Sequence, residues 1–206
     1  SSRFPGTADP YTRSLCTATW ATEGAGDGAT GVAVGTGVAG LSIEDSTGDA
    51  ERPLYELSVA VERIRAARAA IDQTGGDTLL VGRAECFFVG RPDLGEAIER
   101  LKAYAHAGAD CLYAPGIHTR EQITAVVAAV APKPVNLLVG STTDLTMQDI
   151  SALGVRRVSV GGALARSAWG GFIRAARLIA EQGKFDGFAN AASGNELNAF
   201  FAGDRK

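Results

Sequence analysis

Along this chain, short apolar runs end abruptly on charged or glycine positions, and the longer stretches between them carry apolar residues at helical spacing. Gly37-Val38-Ala39-Gly40-Leu41-Ser42-Ile43 runs into Glu44-Asp45, and Leu79-Leu80-Val81-Gly82 runs into Arg83-Ala84-Glu85. Residues 108–114, 134–139 and 154–160 repeat the pattern and end on Pro115, Gly140 and Gly161. A bounded apolar run of this kind predicts a strand buried on both faces of a parallel sheet. Between the runs, Arg52 to Ile71 places Leu54, Leu57, Val61 and Ile64 on one helical face, with Pro53 in a first-turn position. Further helices are predicted over Pro92–Ala107, from Thr119 to before Pro132, over Thr146–Leu153 and over Ala163–Gln182. Thr146 is the expected cap of the short one, and Gly183 ends the long one.

Strands alternating with helices at this pitch give an α/β chain, either a βα barrel or a doubly wound sheet. Gly37-Val38, Gly108-Ala109 and Gly154-Val155 each close a helix and open a strand, with glycine in the left-handed position. That repetition favours a (β/α)8 TIM-type barrel, whose function sits at the carboxyl ends of its strands. Five units are clear. Residues 1–36 are rich in Gly, Ala and Thr, show no amphipathic helix of useful length and leave no room for a helix before the first strand. A full barrel needs about 250 residues, so N-terminal units are expected to be incomplete in this sequence.

The chain has 206 residues, 46% of them hydrophobic, enough for one sizeable core. We therefore expect a single barrel domain over 1–206 with a helical tail from about residue 185. Acidic and basic residues are interspersed, 23 against 20, with no basic block, which argues against nucleic acid as a partner. No apolar stretch approaches the roughly 18 residues that span a bilayer, and no secretory signal is visible. Cys16, Cys86 and Cys111 are odd in number and lack metal-ligand spacing, as for buried thiols in a reducing cytoplasm.

The chemistry-bearing residues gather where the strands end. Ligands of parallel α/β folds sit there, so a small anionic substrate and a metal could meet at Glu44, Asp45, Arg83 and Glu85. Each has a plainer role available. Glu44 and Asp45 could cap the next turn or pair with Arg52, and Arg83 with Glu85, two apart on a strand, could be a structural ion pair. Asn136 could bind substrate or be an amide satisfied in the core. Ser159, His106 and His118 are weaker candidates.

With those residues in view, the chain resembles the isocitrate lyase/phosphoenolpyruvate mutase superfamily, in its carboxyvinyl-carboxyphosphonate phosphorylmutase-like branch. The resemblance runs from about Gly37 to Phe188. It is carried by Gly40-Leu41-Ser42-Ile43-Glu44-Asp45, Arg52-Pro53-Leu54-Tyr55, Arg83-Ala84-Glu85, Gly90-Arg91-Pro92-Asp93-Leu94, Ala109 to Gly116, Lys133-Pro134-Val135-Asn136 and Val158 to Arg166. It implies a Mg²⁺-dependent enzyme (Mn²⁺ serving as well) acting on a small 2-oxo carboxylate or enol phosphate through an enolate-like intermediate. In that scheme Glu44 and Asp45 serve the metal, Arg83, Asn136 and Glu85 the substrate, and Glu44, Arg83 and Asn136 the chemistry. A guanidinium grips a carboxylate or phosphonate with two parallel hydrogen bonds, which lysine cannot do. Further metal carboxylates are expected from Thr22-Glu23-Gly24-Ala25-Gly26-Asp27-Gly28, namely Glu23 and Asp27, although the family's tyrosine and first aspartate are missing there.

The sequence also departs from the pattern after Glu44. The loop Ser46-Thr47-Gly48-Asp49-Ala50-Glu51 has none of the Lys, Cys or His that the lyase branch carries there, nor the mutase Lys and Asn. This argues against isocitrate or methylisocitrate cleavage. It leaves open an oxaloacetate-hydrolase-like enzyme, or a catalytically silent barrel acting in binding or assembly. A homo-oligomer, dimer or tetramer, is expected from the aromatics at Phe185, Phe188, Phe200 and Phe201. The resemblance implies that its terminal helix is exchanged between subunits.

Overall fold

The computed structural model describes residues 17–20 and 27–203. Six parallel strands follow one another in sequence order: β1 (Thr17–Trp20), β2 (Gly40–Glu44), β3 (Leu79–Arg83), β4 (Cys111–Tyr113), β5 (Val135–Leu138) and β6 (Arg157–Ser159). Each strand pairs with the next, and helices α1 (Asp27–Gly35), α2 (Leu57–Thr74), α3 (Leu94–His106), α4 (Arg120–Val130) and α5 (Met147–Ala152) make the crossovers. This is the strand order of a βα barrel, with six of its units among the described residues. The sheet separates its side chains by parity. Leu41, Ile43, Leu80, Leu112, Val135 and Leu137 join Ile64, Ile71, Leu101, Ile123 and Val126 of the helices in one buried core. The alternate positions Val81, Cys111 and Tyr113 form a separate cluster with Leu138 on the other face. Opposite faces for successive residues are the geometry of any strand, and here they divide packing from chemistry.

Local signals set the helix ends. Asp93 accepts from the Glu96 N–H at the start of α3. Thr119 and Gln122 form a reciprocal capping box on α4, as Thr146 and Asp149 do on α5. Gly108, which follows α3, takes φ 108°, and a Cβ there would stand 2.7 Å from Cγ of Arg68. Only glycine fits that turn into β4.

Two sequence expectations are corrected. A helix, α1, does precede β2, packed through Ala33 and Val34. Its small residues give no amphipathic stripe to read, yet they let a nine-residue helix lie close to α2. The second helix begins at Leu57, not Arg52. Ser46 bridges Leu54, and the Tyr55 N–H donates to the Asp45 carbonyl at 2.9 Å, so residues 46–54 form a loop that returns to the strand end. Pro53 lies in that loop.

The described chain divides into two compact units, at Ser159/Val160. The second unit holds α6 (Ala163–Gln182), a 3-10 turn (Asp186–Phe188) and α7 (Gly194–Gly203). Gly187 of the turn lies against Ala175 of α6, where a Cβ would come within 2.6 Å of the Ala175 Cα. Trp169, Phe172 and Ile173 of α6 are exposed, with Phe185, Phe188, Phe200 and Phe201 beyond it. No described helix is long and apolar enough to cross a membrane.

Candidate active site

The strand register lines up one side chain per strand. Glu44 pairs with Arg83, Arg83 with Tyr113, Tyr113 with Asn136, and Asn136 with Arg157. These residues form a polar row across β2 to β6 on the face turned away from the main core; Glu44, Arg83 and Tyr113 end their strands, whereas Asn136 is second in β5 and Arg157 opens β6. Arg83 is the centre of its acidic end. Its Nε donates to Glu85 Oε1 at 2.7 Å, and its Nη1 lies 3.3 Å from Glu44 Oε2. The guanidinium also stands over the Tyr113 ring, 4.9 Å from the centroid. At the other end, Asn136 is fully buried. Its Nδ2 donates to Ser159 Oγ at 2.9 Å, and its Oδ1 accepts from Arg157 Nη1 at 2.9 Å. The amide is therefore held by β6 side chains, not by backbone, and both of its ends are engaged.

Asp45 leaves the chain on the opposite side from Glu44. Its Oδ1 accepts the Glu85 N–H at 2.8 Å, and its Oδ2 accepts from Arg100 Nη1 at 3.2 Å and Tyr104 Oη at 2.5 Å. Arg100 completes its own shell with the Tyr55 carbonyl and with Glu96 Oε1. Asp45 and Glu44, adjacent in sequence, thus serve different clusters.

Burial pushes the Glu85 carboxyl above its ordinary range, and the charge and hydrogen bond of Arg83 only partly oppose this. Burial also raises Tyr113, offset in part by Ser159 and Arg83. The buried thiols Cys86 and Cys111 are both pushed up to about 11, chiefly by desolvation, so neither is a ready thiolate. Burial works against the Arg100 charge, but Tyr104, Asp45 and Glu96 more than restore it, so its pKa ends above the ordinary arginine value. His106 closes α3 with Nδ1 on the Lys102 carbonyl. His118 lines a cavity of about 360 Å³ with Ile117 and residues 137–145, and its Nδ1 is bonded to the Gly116 carbonyl.

Glu44 is the described carboxylate that fits a divalent ion. Its side chain is 11% exposed at the strand end, with Ser46 Oγ on Oε1 and Arg83 near Oε2. Mg²⁺ retains several waters, so one or two carboxylates suffice to hold it. Asp45 faces the helices instead, where its Oδ1 accepts from the Glu85 N–H and its Oδ2 from Arg100 and Tyr104. Glu23 lies outside the described residues, and Asp27 opens α1 with a side chain that is likewise undescribed. Among the described residues, no three His, Cys, Asp or Glu side chains gather as a metal site.

Comparison with known proteins gives the family. The sequence profile of a family described as phosphoenolpyruvate phosphomutase matches residues 29–180. The chain belongs to that family. It is 34% identical over 134 residues to an oxaloacetate decarboxylase of Rhodopseudomonas palustris strain BisB18, covering 62% of this chain and 44% of the relative. It therefore spans less than half the length of that curated relative. A candidate lyase/mutase from Burkholderia cenocepacia J2315 superposes with TM-score 0.81 at 44% identity, over 85% of this chain and 64% of the other. An oxaloacetate acetylhydrolase solved with its product oxalate superposes at 0.70 with 25% identity, over 86% and 62%. These relatives are named for decarboxylase, lyase/mutase and acetylhydrolase activities.

The matched residues include Glu44, Arg83, Glu85 and Asn136, which the fold brings to one row and its edge. Four residues of these clusters are not evident in the sequence alone. Tyr113 and Arg157 enter the row only through register, and a tyrosine in an apolar strand reads as core. Arg100 and Tyr104 follow each other at i, i+4 on α3 and read as an amphipathic face. A polar position every second residue in the strands was the available signal for Arg157.

Proposed function

We propose that this chain carries the strand-end face of a Mg²⁺-dependent carbon–carbon lyase acting on a small 2-oxo dicarboxylate, with oxaloacetate as the first substrate to test. The observation that carries the reading is Arg83, set in the row between Glu44 and Tyr113 and steadied by Glu85. It offers a rigid guanidinium for the substrate carboxylate at the rim where family substrates are handled. When bound, the ion would supply charge stabilisation to the developing enolate oxygen. Glu44 would hold it through water.

Decarboxylation asks least of the residues present. The C3–C4 bond breaks, its electron pair moves into the C2–C3 enolate, carbon dioxide leaves, and a proton then adds to C3 to give pyruvate. No base is needed to start it, in keeping with a loop at 46–51 that lacks Lys, Cys and His. The relatives named oxaloacetate decarboxylase support the same substrate. The test is product analysis of oxaloacetate incubated with the chain, with Mg²⁺ or Mn²⁺ and with chelator. Pyruvate and carbon dioxide formed faster than by the metal alone, and formed far more slowly by Arg83→Lys, is the expected result. Oxalate and acetate would replace this reading with hydrolytic C2–C3 cleavage, and no turnover of any oxo acid would favour a silent barrel.

We further propose that the exposed apolar residues of α6 and beyond, Trp169, Phe172, Ile173 and Phe188 among them, are covered by a second copy of the chain. Sedimentation at micromolar concentration should show a dimer or tetramer. A monomer would refute it.

A further inference from the structure

We infer that Asp45, seated from the helix side by Arg100 and Tyr104 of α3, is a positioning residue that fixes the aim of Arg83. The inference rests on the reading of Arg83 as the substrate anchor. The contacts form a continuous path. Tyr104 Oη and Arg100 Nη1 hold Asp45 Oδ2, Asp45 Oδ1 accepts the Glu85 N–H, Glu85 Oε1 accepts from Arg83 Nε, and Arg83 Nη1 faces Glu44 Oε2.

The weak point of this site is the exit from β3. The strand ladder continues only through Ala84, whose N–H donates to the Tyr113 carbonyl at 2.9 Å. Beyond it the chain turns away, with the N–H groups of Phe88 and Val89 closing on the Glu85 carbonyl. The Glu85 N–H therefore has no strand partner, and Asp45 supplies its acceptor in a setting that is 2% exposed. A carboxylate there needs its own positive partner, because an uncompensated buried charge is costly. Arg100 provides it, and Tyr104 completes the shell. With the backbone of Glu85 pinned, its side chain returns under Arg83 and restricts the guanidinium to one orientation.

The same hub ties down both ends of the loop after β2. The Tyr55 N–H donates to the Asp45 carbonyl, and the Tyr55 carbonyl accepts from Arg100 Nη1 at 3.0 Å. A single guanidinium thus holds the root of the 46–54 loop and the carboxylate behind Glu85. Loop and anchor are set by one group of buried contacts around Asp45.

The test reads Arg83 directly. In protein labelled with ¹⁵N-arginine, the Arg83 Nε–H resonance is identified by its loss in Arg83→Lys, and its hydrogen exchange is compared with Tyr104→Phe and Arg100→Lys. Tyr104→Phe removes one donor without opening space, and Arg100→Lys serves if it does not fold. The expected result is Arg83 Nε–H exchange at least about tenfold faster, the scale of one lost charge-assisted hydrogen bond. In parallel, the Mn²⁺ dissociation constant should weaken in Glu44→Gln and stay within about twofold in Asp45→Asn and Tyr104→Phe, since Mg²⁺-type sites lean on few carboxylates. Unchanged exchange in whichever of the two variants fold would reduce the hub to structural support. Mn²⁺ binding weakened as much by Asp45→Asn as by Glu44→Gln would make Asp45 a metal ligand. If the wild type bound no Mn²⁺ and turned over no oxo acid, the proposed function would fall, while the exchange experiment would still decide the role of Asp45.

Discussion

Arg83 and Arg100 are each clasped between two carboxylates, on opposite sides of the same sheet. Arg83 lies between Glu44 and Glu85 in the polar row, and Arg100 lies between Asp45 and Glu96 against the helices. Their side chains are similarly buried, at 13% and 8% exposed. The difference is in how far each is committed. Arg100 engages protein acceptors through Nε, Nη1 and Nη2, including a backbone carbonyl. Arg83 engages its carboxylates through Nε and Nη1, and an aromatic ring forms one wall of its site. A fully committed cation holds a fold together, and a partly committed one can still receive an anion. Similar local chemistry thus serves structure behind the sheet and recognition in front of it.

The contrast is broken most severely by removing the carboxylates. Asp45→Ala takes the acceptor from the Tyr104 hydroxyl and the Glu85 N–H together, and one of two carboxylates from Arg100. It should cost about 3–5 kcal/mol of unfolding free energy, as for other broken buried pairs. Glu44→Ala leaves Arg83 still paired with Glu85 and should cost only about 1–2 kcal/mol. Urea unfolding of both variants checks the ratio. Equal losses would mean that the two clusters do not differ as their geometry indicates.

Swapping the cations sharpens the comparison from the other direction. Arg83→Lys keeps the charge but loses the bidentate fork, and should lower kcat/KM on the best oxo acid by roughly 30- to 1,000-fold, or about 2–4 kcal/mol. Its melting temperature should move little. Arg100→Lys should reverse the emphasis, with a stability loss of about 1.5–3 kcal/mol from the lost bonds to charged partners and the smaller, roughly tenfold loss of activity that one misplaced hydrogen bond entails. Steady-state kinetics beside thermal melts would decide.

How much of this was legible beforehand depends on which physical signal each residue leaves. Strand ends marked by Glu44, Arg83 and Glu85 stand out because charge follows an apolar run without transition. Capped helices stand out as well: Thr119 with Gln122 and Thr146 with Asp149 announce α4 and α5. Helix α1 gives no such signal, since Gly, Ala and Val pack by smallness without periodicity. The start of α2 was obscured because Pro53 suits a first helical turn as well as a return loop, and only the Ser46–Leu54 bridge distinguishes them. Strand parity alone could have parted Asp45 from Glu44. The partners of Asp45, Arg100 and Tyr104, lie 55 and 59 residues away in sequence, and such distant contacts leave no local trace.

The smallest effect concerns pH, and it sets the two faces against a surface cap. Burial holds the Glu85 carboxyl above its ordinary 4.5, so the folded protein keeps that proton to a higher pH than the unfolded chain does. In the window above 4.5 the folded state binds more protons, and this component of stability falls as pH rises toward the raised value. Asp149 behaves in the opposite sense. Its bonds with Thr146 and Arg120 hold it down to about 2 from 3.8, so its contribution is present above 3.8 and lost as pH falls through about 2. Asp149 lies at the surface, so its share is slight. Unfolding midpoints followed across acidic pH should lose the descending component in Glu85→Gln and the acid-side component in Asp149→Asn. If Glu85→Gln leaves the slope above 4.5 unchanged, Arg83 outweighs burial at Glu85. The acidic end of the row would then be as firmly compensated as the Arg100 hub, and the distinction between the two clasped guanidiniums would narrow to what lies around them.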